Sequence, residues 1–167
     1  MMNKKTIQKN KAFVLLFAVV ISSIILAIAL GVANISLKEI NFGTSARDAN
    51  DAFFAADTGA ECALYYDRSD NSAFIETSPA PVISCAGITP ITPIIVSMDN
   101  DNTCNYLSAW SFLVSNLGSS KKACADVVVG KGVELADHIT PCTKIISIGQ
   151  SNCNAPNRVE RELDVTY

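Results

Sequence analysis

The chain has 167 residues, with 13 basic and 16 acidic side chains and a single histidine. That length holds one folded domain, and the acidic balance excludes a surface built to neutralise phosphates, so direct nucleic-acid binding is not indicated. One histidine and the absence of G-x-S-x-G, H-E-x-x-H or a phosphate loop leave no recognisable catalytic machinery, so no enzyme is expected.

The first element is the most informative. Lys4, Lys5, Lys9 and Lys11 precede Ala12, and no charged residue follows until after Leu37. The apolar run is about 20 residues, enough to cross the roughly 30 Å hydrocarbon core of a bilayer as a helix. The lysines place its N-terminal end in the cytoplasm and the rest of the chain outside. Ala27-Ile28-Ala29 and Gly31-Val32-Ala33 imitate a signal-peptidase site, but the helical pattern continues past them. No proline occurs from Phe13 to Arg68. Small and apolar residues recur at Phe42, Ala46, Ala49, Phe53, Ala56, Ala60 and Ala63, alternating steps of four and three that mark one helix face. Arg47, Asp48, Asp51, Asp57 and Glu61 lie mostly off that stripe. The pattern predicts one helix of about 55 residues, roughly 80 Å long. Its first half is apolar all round; its second half packs a single alanine-rich face closely against a partner.

Asp67, Asp70, Asn71 and Ser72, then Pro79 and Pro81, end the helical pattern. Short β-rich runs follow at 82–85, 94–98, 110–114, 125–129, 143–148 and 158–167. Asp99-Asn100-Asp101-Asn102, Gly118-Ser119-Ser120 and Gly149-Gln150-Ser151-Asn152 read as loops, and Gly130-Lys131-Gly132 as a turn. In the last run Val159, Arg161, Leu163, Val165 and Tyr167 alternate with Glu160, Glu162, Asp164 and Thr166, a half-buried antiparallel strand. The expected fold is α+β, with the amphipathic half of the helix laid on an antiparallel sheet around one core. The segments are a basic leader (1–12), an apolar half-helix (13–33), an amphipathic half-helix (34–69) and a β-rich extracytoplasmic domain (70–167).

All six cysteines, Cys62, Cys85, Cys104, Cys124, Cys142 and Cys153, follow the apolar run, widely spaced and without a C-x-x-C pair. Outside a membrane this pattern indicates disulfides rather than zinc. Fifteen pairings are possible; Cys85 is the sequence neighbour of Cys62, which stands on the helix. Asp99 and Asp101 alternate as at the start of a calcium loop, but Cys104 stands where its glycine should be and Trp110 where its glutamate should be. A looser calcium site is the alternative to an acidic solvated loop, and no other metal or cofactor is expected. Lys121, Lys122, Lys131 and Lys144 read as solvated surface.

A basic leader and a small residue before Phe13-Val14-Leu15-Leu16-Phe17 resemble the class III signal and N-terminus of type IV pilin-like proteins. The stretch Ala52-Phe53-Phe54-Ala55-Ala56-Asp57-Thr58-Gly59-Ala60-Glu61 is similar to the helix of PilX-type minor pilins and K-type pseudopilins, and residues 158–167 look like the closing strand of such proteins. The resemblance is good over residues 1–70 and loose beyond. It implies cleavage by prepilin peptidase between Ala12 and Phe13, although such peptidases usually cut after glycine. It also implies N-methylation, inner-membrane assembly machinery and other pilin or pseudopilin subunits as partners, and a place in the cytoplasmic membrane before assembly into a surface filament. A calcium site would be among the features of the K-type relatives. Major pilins of this kind carry glutamate as the fifth mature residue, where it neutralises a neighbouring terminal amine; here that position is Phe17. Its absence points to a minor, tip or priming subunit of a type IV pilus-like or type II secretion-like filament. The alternatives are an unprocessed single-pass membrane protein with a cysteine-rich binding domain, and a secreted enzyme or inhibitor released near position 34.

Overall fold

The computed structural model describes residues 7–69, 73–75 and 81–167, without the side chains of residues 7–12 and 89. The described residues form one helix, α1 (Ile7–Arg68), and seven strands. The strands are β1 (Ile83–Cys85), β2 (Ile88–Ile91), β3 (Ile94–Val96), β4 (Cys104–Leu117), β5 (Ala123–Glu134), β6 (Pro141–Gln150) and β7 (Glu160–Thr166). β1 and β2 pair as an antiparallel hairpin, and β3 to β7 form an antiparallel sheet in chain order. The class is α+β, as the sequence pattern predicts. Of the helix-ending residues named from the sequence, Asp70, Asn71, Ser72 and Pro79 lie outside the described residues.

The chain divides into two compact units after Thr44. The first holds the apolar part of α1, in which every described side chain from Phe13 to Thr44 is exposed. The second runs from Ser45 to Tyr167 and contains the last turns of α1 with all seven strands.

The core of the second unit lies between the helix and one face of the sheet. Alternation on the strands puts Trp110, Phe112 and Val114 of β4, Ala125, Val127 and Val129 of β5, and Ile145 of β6 inside. Phe74 closes the core, its ring 5.9 Å from Phe112 and 6.1 Å from Trp110. Burying such rings is the largest single contribution to a core of this size. The helix terminates where the Tyr66 carbonyl accepts hydrogen bonds from the Ser69 hydroxyl and the Ala73 amide, in place of continued helical pairing.

The strands are mostly longer than the expected runs, β4 spanning 104–117 where 110–114 is expected, and three departures bear on the packing. β2 is not among the predicted runs, because Pro90 argues against a strand; in a two-stranded hairpin its missing N–H can face outward. Gly130-Lys131-Gly132 is strand rather than turn. Met98 and Tyr106 lie where a Gly130 Cβ would stand, and the Asn105 backbone lies where a Gly132 Cβ would. Gly149 and Gln150 end β6 instead of opening a loop, for a reason that lies at the helix.

Candidate functional site

The chemistry-bearing features group into two surfaces, one in each unit. In the first unit, Phe13 and Phe17 are 71% and 57% exposed. Leu15, Leu16, Val19, Ile24, Ile25, Leu26 and Ile28 are exposed with them. The polar groups in this stretch are paired locally: the Ser22 and Ser23 hydroxyls donate to the carbonyls of Val19 and Val20 at 2.9 and 2.8 Å. The segment therefore presents methyl and aromatic surface with its serine hydroxyls satisfied within the helix, as an apolar environment requires. By length and composition it can cross a membrane. The side chain of Ala12 and the leader lysines Lys4, Lys5, Lys9 and Lys11 lie outside the described residues; the leader's residues 7–12 are backbone of α1.

In the second unit, the helix face that meets the sheet consists of Ala52, Ala55, Ala56, Gly59, Ala60 and Ala63, all buried. Opposite stand Ala125, Val127, Ser147 and Gly149. The approach is close enough that a Cβ on Gly149 would collide with the Ala52 carbonyl oxygen and the Ala56 backbone. A Cβ on Gly59 would meet the Ser147 hydroxyl, Ala125 and Val127. The buried Ser147 hydroxyl donates to the Ala56 carbonyl at 2.7 Å, so this buried polar side chain on the interface is satisfied.

This corrects the predicted stripe. Ala56, Ala60 and Ala63 are buried, but Phe42 is 78% exposed, Phe53 is 47% exposed, Ala46 is exposed and Ala49 is half-buried. The space between backbones admits methyl groups and hydrogens, not phenyl rings, so Phe53 turns out beside Phe54, at 5.8 Å between ring centres. Spacing from Phe42 chose a face by hydrophobicity; close packing chose the neighbouring face by size.

The six cysteines form three disulfides, Cys62–Cys85, Cys104–Cys142 and Cys124–Cys153. The first joins α1 to β1, the second β4 to β6, and the third β5 to the loop after β6. A second tie between helix and sheet was not foreseen from the sequence. Asp67, with a side chain only 5% exposed, pairs with Lys131 of β5 and accepts the Tyr167 hydroxyl at 2.8 Å. The Arg68 guanidinium stands 4.6 Å from the centre of the Tyr167 ring. Burial, followed by the hydrogen bond to Asp67, raises the Tyr167 phenol to a pKa of about 12.

The acidic loop is organised from within. Asp101 Oδ1 accepts from the Thr103 amide, the Thr103 hydroxyl and the Cys104 amide, while Oδ2 accepts from the Tyr106 hydroxyl and Lys144 Nζ. These bonds, the Thr103 hydroxyl first, hold the Asp101 carboxyl far below the ordinary range. Burial and Asp101 push the Tyr106 phenol up, and Asp101 raises the Lys144 ammonium. A cation at Asp101 would have to displace Lys144 and the hydrogen-bond donors, and Asp99 is exposed to solvent. Among the described residues no three His, Cys, Asp or Glu side chains gather to hold a metal ion. Lys131 and Lys144 are engaged in ion pairs.

Comparison with protein-family models, with curated proteins and with solved structures finds no match. What the chain itself displays is a long apolar N-terminal helix whose later turns pack on an antiparallel sheet, an architecture consistent with pilin-like subunits and with single-pass membrane proteins.

Proposed function

We propose that this chain is a minor, tip or priming subunit of a type IV pilus-like or type II secretion-like filament, structural rather than enzymatic, held in the cytoplasmic membrane before assembly. The observation that carries the reading is the double use of α1. One helix supplies an apolar segment with no covered side in its own chain and the small-residue face that holds the sheet unit. A membrane anchor needs only the first property, and it can be joined to its domain by any linker. A filament subunit benefits from both, because the segment that leaves the lipid must carry the outer unit with it.

In this reading the segment from Phe13 to Ala33 waits in the bilayer with the leader on the cytoplasmic side. After cleavage between Ala12 and Phe13 it enters an apolar bundle formed with other pilin-like subunits. Lipid contact is exchanged for helix packing, which small residues and locally satisfied serines favour. Phe17 stands where a repeating subunit would offer a carboxylate to a neighbour's terminal amine. A buried ammonium without a partner is costly, so the chain fits a terminal position where no earlier subunit depends on it.

Phe17→Glu tests that placement. Filament incorporation, measured by quantitative immunoblotting of sheared filaments, is expected to rise and to spread along the filament. Unchanged low occupancy would overturn the terminal-position account.

A further inference from the structure

The sheet has a second face, turned away from α1. Register aligns Leu113, Asp126, Ile148 and Glu162 in one row across β4 to β7, and Ser111, Val128, Ile146 and Asp164 in the next. The chain covers one end of this face itself. Met98 and Tyr106 lie over Gly130, and Ala109 beside it is buried. The two rows are left open: Leu113 is 53% exposed, Asp126, Glu162 and Asp164 are exposed, and Val128, Ile146 and Ile148 are half-buried.

The solvated side of an antiparallel sheet is ordinarily polar. Here branched aliphatic side chains occupy its centre and carboxylates stand between and beside them. Lys144 lies on the same side but is held by Asp101 at 3.2 Å and Asp164 at 3.5 Å. Asp126 and Glu162 have no cation within 4 Å among the described residues. Whatever covers these rows must bring apolar groups to the aliphatic centre and positive charge to the carboxylates, because a carboxylate covered without a cation is strongly disfavoured. A second copy would present the same carboxylates, and an anionic lipid surface would add further negative charge; both oppose contact.

We propose that this face docks a different protein, one whose contact surface alternates apolar side chains with lysine or arginine. The proposal does not depend on the filament reading, since the face belongs to the sheet unit however the N-terminus is processed. Complementary charge sets partner choice and the rate of encounter, while the aliphatic centre supplies the dry contact area.

The test uses the full chain in non-ionic detergent and a fluorescent peptide of alternating lysine and valine as probe, read by polarisation. Binding is expected, and the paired variant Asp126→Lys, Glu162→Lys should weaken it about tenfold. Leu113→Ser with Ile148→Ser should weaken it severalfold, while a glutamate–valine peptide should not bind. All four positions are exposed or half-buried, so both variants are expected to keep the parent's circular dichroism and melting. Undiminished binding by the charge-reversed variant, equal binding of the glutamate peptide, or sedimentation as a dimer that this substitution dissolves would each overturn the proposal.

Discussion

Two stretches of one helix solve opposite problems. From Phe13 to Thr44, α1 carries large apolar side chains on every side and none is buried within the chain. From Ala52 to Ala63, its sheet-facing side carries the smallest side chains available, six of them buried against a sheet. The contrast shows that hydrophobicity and burial are separate properties. The first stretch is apolar although nothing in its own chain covers it among the described residues; the second is small because of how near the sheet lies. Glycines express the difference most clearly. Nothing lies within 4 Å of a Cβ placed on Gly31 or Gly43, whereas one placed on Gly149 would run into helix backbone.

That comparison can be broken at Gly149. Gly149→Val is expected to destabilise the sheet unit by about 3 kcal/mol or more, because backbone at Ala52 and Ala56 cannot turn aside as a side chain would. Gly31→Val should leave the unit's protease resistance unchanged. Equal resistance of the two variants would mean that helix and sheet are not in close contact. Next in size is the covalent tie: Cys62→Ser with Cys85→Ser opens a link spanning 23 residues and should cost about 3 kcal/mol in urea unfolding. The polar tie is smaller. Asp67→Ala removes the partner of Lys131 and the acceptor for Tyr167, and should lower stability by about 2 kcal/mol; Lys131 reaches water, so the cost falls short of that for a fully enclosed pair.

The smallest effect sharpens the contrast through pH. Hydrogen bonds from Thr140 and the Ile139 amide lower the Asp137 carboxyl from 3.8 to about 2, and Asp101 is lowered further by its own donors. A carboxyl depressed in the folded state stabilises fully above its unfolded pKa and loses that contribution as pH falls through the folded value. The sheet unit should therefore lose stability as pH drops from about 4 towards 2. Asp101→Asn should flatten that dependence in thermal melts, while the helicity of the apolar stretch stays constant.

The legible and the illegible parts of the fold divide along the same physical line. The long helix, the α+β class and all six β-rich runs could be read because charge-free length, alternation and loop residues act locally; β2 was the strand left out. The packed helix face could be read only in part: Ala56, Ala60 and Ala63 lie on it, Phe42 and Phe53 do not. Ala52, Ala55 and Gly59 contribute little hydrophobic signal, and the phenylalanines at 42 and 53 outweighed them. Gly130, Gly132 and Gly149 looked like turn residues because a sequence does not show the Tyr106 ring, the Asn105 backbone or the Ala56 backbone that requires glycine there. Likewise Asp67, Lys131 and Tyr167 are separated widely in sequence, and only the antiparallel order of β5, β6 and β7 brings them together.

The most direct measurement is mass spectrometry of the chain's N-terminus in membranes and in sheared filaments. The account predicts N-methylated Phe13 as the first residue in both fractions. A chain that retains Met1 and stays in the membrane would contradict it, leaving a permanent single-pass anchor in place of a filament subunit.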